Sequence, residues 1–84
     1  MARYQILYWK DIPAQVRVFP DAGRPLSRPL PDRFQQEIDA RAMREGLAGS
    51  DAYLEQWHWS EKLERDLPAQ ELLETILHEL EADS

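Results

Sequence analysis

Eighty-four residues at 9.9 kDa, with 43% apolar and 31% charged side chains, make one globular domain and leave no room for two. A chain of this length sits just above the size at which a single core rarely supplies more than roughly 3–5 kcal/mol, so much of the aliphatic and aromatic content is committed to folding. No apolar run approaches the roughly 20 residues of a membrane helix, and zero cysteines excludes a disulfide framework, a thiolate metal site and a cysteine nucleophile.

The formal charge of −6 is unevenly spread. Residues 1–31 carry five basic against two acidic side chains, and residues 32–84 carry five against fourteen. Phosphate neutralisation needs clustered cations, so nucleic acid is not an expected partner. A two-signed surface of this kind points to a protein partner. Met1-Ala2-Arg3-Tyr4 passes straight into a strand-like run without an apolar leader, which gives the expectation of an unprocessed cytoplasmic protein with no membrane partner.

In chain order, Arg3 to Lys10 is rich in aromatic and branched residues and predicts a strand. Its apolar residues fall on both faces, Tyr4, Ile6 and Tyr8 on one and Leu7 and Trp9 on the other, so one face covers a core and the other is left half covered. Asp11 to Ala14 reads as the turn, with Pro13 outside the ladder because it lacks an N–H. Gln15 to Phe19 alternates, placing Val16 and Val18 on one face and Gln15, Arg17 and Phe19 on the other. Residues 20–31 hold four of the six prolines, and Arg24 to Leu30 is either a third, edge strand or an extended connector.

From Pro31 the period becomes helical. Phe34, Ile38 and Ala42 recur every four residues, and Gly46 suits the left-handed position past the end, predicting a helix over 32–45. Ser50 is the expected cap of a second helix over 51–65, with Tyr53, Leu54 and Trp57 on its buried arc. Leu67-Pro68 interrupts the pattern, and Leu72, Leu73, Ile76, Leu77 and Leu80 form the stripe of a third helix over 68–81. The expected fold is α+β, a two- or three-stranded antiparallel sheet packed against two to three helices, divided as an α+β domain over 1–67 and a C-terminal amphipathic helix over 68–84. That stripe must be covered, preferably within the chain with Trp59 and Leu63 as neighbours, or else by a homodimer formed through the helix.

Ile6 to Val16, read as Ile-Leu-Tyr-Trp-Lys-Asp-Ile-Pro-Ala-Gln-Val, resembles the signature of a small bacterial family, the virulence factor domain. Arg33-Phe34-Gln35, Ile38-Asp39, Ala42-Met43-Arg44, Gly46-Leu47 and Asp51-Ala52-Tyr53-Leu54 with Trp57 resemble its remainder. The resemblance spans about residues 4–57 and departs at Lys10, where arginine is usual, and at Pro31, where a capping serine is usual. It implies a stand-alone domain or the C-terminal portion of a longer protein with helical repeats, in an accessory or scaffold role, and it brings no reaction or catalytic residue. An alternative from the same resemblance is a small regulatory or structural subunit of a cytoplasmic enzyme complex in one-carbon or methyl-transfer metabolism.

Chemistry-bearing residues are sparse. His58 and His78 stand alone on different elements; Glu61 follows His58 by three residues, but carboxylate-bridged helical sites need two such units, so no metal is expected. The serines lack a Gly-x-Ser-x-Gly setting, and Gly46-Leu47-Ala48-Gly49 lacks the Lys and Ser or Thr of a phosphate loop. Neither a cofactor nor free-standing catalysis is expected. The strongest candidate surface is the hairpin tip, where Trp9, Lys10, Asp11 and Gln15 form either a rigid turn or a recognition tip for a protein partner. Trp57 and Trp59, two apart, point about 200° from each other on a helix, so either Trp57 is buried and Trp59 packs on the third helix or stands at an interface, or a shifted helical period buries Trp59 and exposes Trp57.

Overall fold

The computed structural model describes residues 2–82. Its organising element is β1 (Ala2–Trp9), which turns through Lys10 and Asp11 into β2 (Ile12–Phe19). The turn is two residues long and earlier than the sequence predicts, because Lys10 takes a left-handed φ of 55°. Pro13 therefore lies inside β2, opposite Tyr8. The ladder accommodates it with a shift of register: Leu7 faces Gln15, Tyr8 faces Pro13, and Ala14 is the extra residue of a bulge, the place where a missing donor costs least. The carbonyl of Ala14 accepts the N–H of Leu30.

The proline-rich stretch does form an edge strand, β3 (Leu26–Pro29), paired to β2 from Val18↔Leu26 to Gln15↔Pro29. After α1 (Asp32–Arg44) the chain turns through Gly46, whose φ of 71° ends the helix as expected, and enters a short α2 (Asp51–Glu55). Ser50 sits at the N-cap position, but its hydroxyl donates to the Leu47 carbonyl instead of capping α2.

The second helix then stops after five residues, contrary to the predicted span of 51–65. Residues 57–59 form β4 (Trp57–Trp59) and residues 63–65 form β5 (Leu63–Arg65), and both pair antiparallel with β1. The sheet thus has five strands, in the order β3-β2-β1 with β4 and β5 along the remaining edge of β1, where two or three were expected. Local helical spacing gives way here because β1 otherwise keeps a row of unpaired backbone groups, and only a strand satisfies them.

Ser60 makes that edge continuous. Its N–H donates to the Ile6 carbonyl at 2.8 Å, and its hydroxyl accepts the Ile6 N–H at 2.9 Å, so a side-chain oxygen replaces a backbone carbonyl where the chain swings out at Glu61 and Lys62. The Gln5 amide donates to the Ser60 carbonyl at 3.0 Å.

Tyr4 and Ile6 of β1 and Val16 and Val18 of β2 meet Phe34, Ile38 and Ala42 of α1 and Leu72, Leu73, Ile76 and Leu77 of α3 (Ala69–Ala82). The C-terminal helix therefore packs within the chain, on β1, β2 and β3, and shares the one core. Arg65 fixes it to β5 by two bonds to the Glu79 carboxylate at 2.7 and 3.0 Å, and Arg33 fixes it to α1 through the Glu81 carbonyl at 3.0 Å. Trp59 is not among its neighbours. As partner of Leu7 in the ladder, Trp59 points to the opposite face of the sheet.

Phe34 is 2% exposed, so Phe34→Ala is expected to cost about 3–5 kcal/mol in urea denaturation; a loss below about 1 kcal/mol would remove it from the core. Ser60→Ala leaves the Ile6 N–H without its acceptor and is expected to cost about 1–3 kcal/mol, with amide exchange at Ile6 accelerated beyond that of its neighbours.

Candidate functional site

The structure separates the five candidate surface residues into three environments. Trp9 is fully buried: its indole N–H donates to the Tyr53 carbonyl at 3.0 Å and its ring lies 5.6 Å from that of Tyr53, which meets Trp57 edge-on at 6.2 Å. Its ring is spent on holding α2 and β4 against the end of β1 and is not presented at the tip.

Lys10 and Asp11 do lie at the tip, but both are engaged by α1. Lys10 pairs with Glu45 just past the helix end, Arg41 donates to Glu45 at 3.2 Å, and Arg41 also donates to Asp11 at 2.6 Å. Four alternating charges thus close a chain from the turn to the helix. The Lys10 backbone N–H is occupied as well, by the Gln56 carbonyl at 3.1 Å. Lys10, by its hydrogen bond, holds the Glu45 carboxyl below its ordinary value, and the charge of Asp11 raises Arg41.

Gln15 and Trp59 belong to a third environment, the sheet face turned away from α1 and α3. Gln15, Leu7 and Trp59 are consecutive partners across β2, β1 and β4 and share this face with Gln5, Arg17 and Phe19. Arg17 lies over the Trp59 ring at 4.3 Å, and Lys62 lies over Phe19 at 4.5 Å. Both rings are half-buried beneath their cations. Among the described residues no carboxylate pairs with Arg17 or Lys62.

Arg17 and Phe19 were legible as part of this face from the alternation of β2. Lys62 was not, because its position depends on the excursion between β4 and β5. Leu54, expected on a buried arc, is instead 64% exposed. A cleft of about 380 Å³ is lined by Ala42, the 73% exposed Met43, Ala48 and Tyr53.

A second cleft of about 320 Å³ opens between the tip, α1 and α3, with Ile12, Pro13, Phe34 and Leu80 as its apolar lining and Tyr8, Asp11, Glu37 and Arg41 as its polar one. Burial, with a smaller contribution from Tyr4, pushes the Tyr8 phenol above its ordinary value. His58 stacks on Tyr8 at 5.8 Å and approaches the Gln56 carbonyl with Nδ1 at 3.1 Å. It sits on β4, so His58 and Glu61 do not form a helical His-x-x-Glu unit. Among the described residues no group of three or more His, Asp or Glu side chains is placed to hold a metal ion.

Comparison with known families returns the virulence factor model, matched over residues 7–83. The chain belongs to the virulence factor family. No curated protein and no solved structure matches it. The match extends well past residue 57, where the sequence resemblance ends, and takes in β4, β5 and α3. That extent agrees with the shared core, since β1 lacks one edge without β4 and β5, and the sheet lacks part of its cover without α3.

Most of the hairpin string that carries the resemblance to the virulence factor domain is used inside the molecule. Trp9 is core, Asp11 holds α1, Pro13 and Ala14 make the bulge, and Gln15 faces outward from the sheet. Glu79 is, like Glu45, held below its ordinary value, chiefly by its hydrogen bond from Arg65.

A carboxyl whose value is lowered by folding contributes stability that is complete above the ordinary carboxyl range and lost as pH falls through the folded value. Replacing Glu45 and Glu79 together by Gln is therefore expected to flatten the acid limb of the melting-temperature profile, with little change at neutral pH in high salt, where exposed pairs are screened. An unaltered acid limb would show that neither pair contributes to folding.

Proposed function

We propose that this virulence factor domain is a noncatalytic interaction module that docks a protein partner through its open sheet face. One observation carries the reading: Trp59 and Phe19 stand on the sheet face away from α1 and α3, each beneath a cation that pairs with no carboxylate among the described residues. Folding alone gives little reason to place two aromatic rings there. Interfaces, by contrast, are enriched in tryptophan and arginine at their centres, with polar groups around them. Gln5 and Gln15 supply such polar groups beside Leu7.

The tip is the weaker candidate, because its charges already satisfy one another through Arg41 and Glu45. The reading holds whether the partner is an enzyme that the domain completes or a scaffold that it joins.

Affinity purification with the tagged domain from a native extract tests the choice of surface. The Gln15→Ala/Trp59→Ala variant is expected to keep a cooperative melt and lose a stoichiometric partner, whereas Lys10→Ala retains it. The opposite pattern, with capture lost at Lys10 and kept at Gln15 and Trp59, would move the site to the tip.

A further inference from the structure

Resting on that docking reading, we propose that the open sheet face receives an acidic amphipathic helix from the partner protein, laid over Leu7 and Trp59 as a third layer on the sheet.

The edges of the sheet decide the backbone of the occupant. A partner strand would have to add to β3 or to the β4 and β5 edge. Pro29 deletes a donor from β3, and the other edge is broken where Glu61 and Lys62 swing out between β4 and β5. A segment lying on the face meets side chains instead of a row of N–H and C=O groups. It must then satisfy its own backbone, and a helix does so within one segment. The opposite face of the same sheet already uses this solution with α1 and α3.

The cations decide the charge of the occupant. Arg17 and Lys62 belong to a chain of net charge −6, yet each rests on a ring with no carboxylate partner among the described residues. A carboxylate brought to either one gains a charge-assisted bond while the guanidinium or ammonium stays over its ring. Arg17 and Phe19, the ring under Lys62, are two residues apart on β2, about 7 Å, and carboxylates one helical turn apart span about 5–6 Å, so one helix reaches both cations. A second copy of this chain does not supply such a helix. Among the described residues its acidic amphipathic helix is α3, whose apolar stripe lies inside its own core.

The test uses the whole 84-residue chain, labelled for amide NMR, and three probes: a helical Leu/Glu amphipathic peptide, a Leu/Lys peptide with the same apolar stripe, and an oligothymidylate. The Leu/Glu peptide is expected to shift the amides of Leu7, Arg17 and Phe19 and the indole of Trp59, leave α3 unmoved, and bind more weakly as salt rises. Arg17→Glu/Lys62→Glu is expected to weaken it by about tenfold or more and to favour the Leu/Lys peptide. Arg17→Gln serves if the double variant loses its amide dispersion, with a smaller loss of affinity expected. No shift at these residues, equal binding of both peptides, or preference for the oligothymidylate would each overturn the proposal. If the Gln15→Ala/Trp59→Ala variant loses its native partner while the Leu/Glu peptide fails to bind, the helix is wrong and the docking face stands. If that variant keeps its partner, the docking face itself is wrong.

Discussion

β1 is hydrogen-bonded along both edges, to β2 on one side and to β4 and β5 on the other, and the arrangement of the domain depends on that double pairing. A strand paired on both sides has no freedom to slip, because a shift of one residue would move Tyr4 and Ile6 out of the core and Gln5 and Leu7 into it. The core face is then closed by α1 and α3 over Val16 and Val18. The other face carries polar, charged and aromatic side chains, among them Arg3 and its cross-strand partner Glu64.

The hairpin tip shows how a small domain spends its charged groups. Lys10, Glu45, Arg41 and Asp11 join a two-residue turn to the end of a helix that would otherwise be held at that end by apolar contact alone. Each pair is solvent-exposed to some degree and individually weak, and together they tether the C-terminal end of α1 to the turn. The tip is thereby a structural joint. Trp9, beneath it, provides the apolar part of the same joint through Tyr53 and Trp57.

Arg17 and Lys62 have the opposite character. They are held in place by aromatic rings instead of by counter-charges, so their charge remains available for a partner. Two surfaces of one hairpin are thus separated by chemistry: charges neutralised within the chain at the tip, charges left open on the sheet face.

The alternation of Gln15 to Phe19, the four-residue spacing of Phe34, Ile38 and Ala42 and the stripe of α3 were each enough to specify an element and its buried face, because burial of a regular element imposes a period that one sequence carries alone. The family, too, was legible from the string Ile6 to Val16. The region from Trp57 to Arg65 was not, since Trp57 and Trp59 diverge on a helix and agree only on a strand, and the strand exists because β1 offers an edge some fifty residues earlier. The same long-range pairing places Ser60 opposite Ile6 and Trp59 beneath Arg17. Sequence periodicity reports what a segment can become on its own, and only the tertiary structure decided where a backbone with unpaired groups would take its partner.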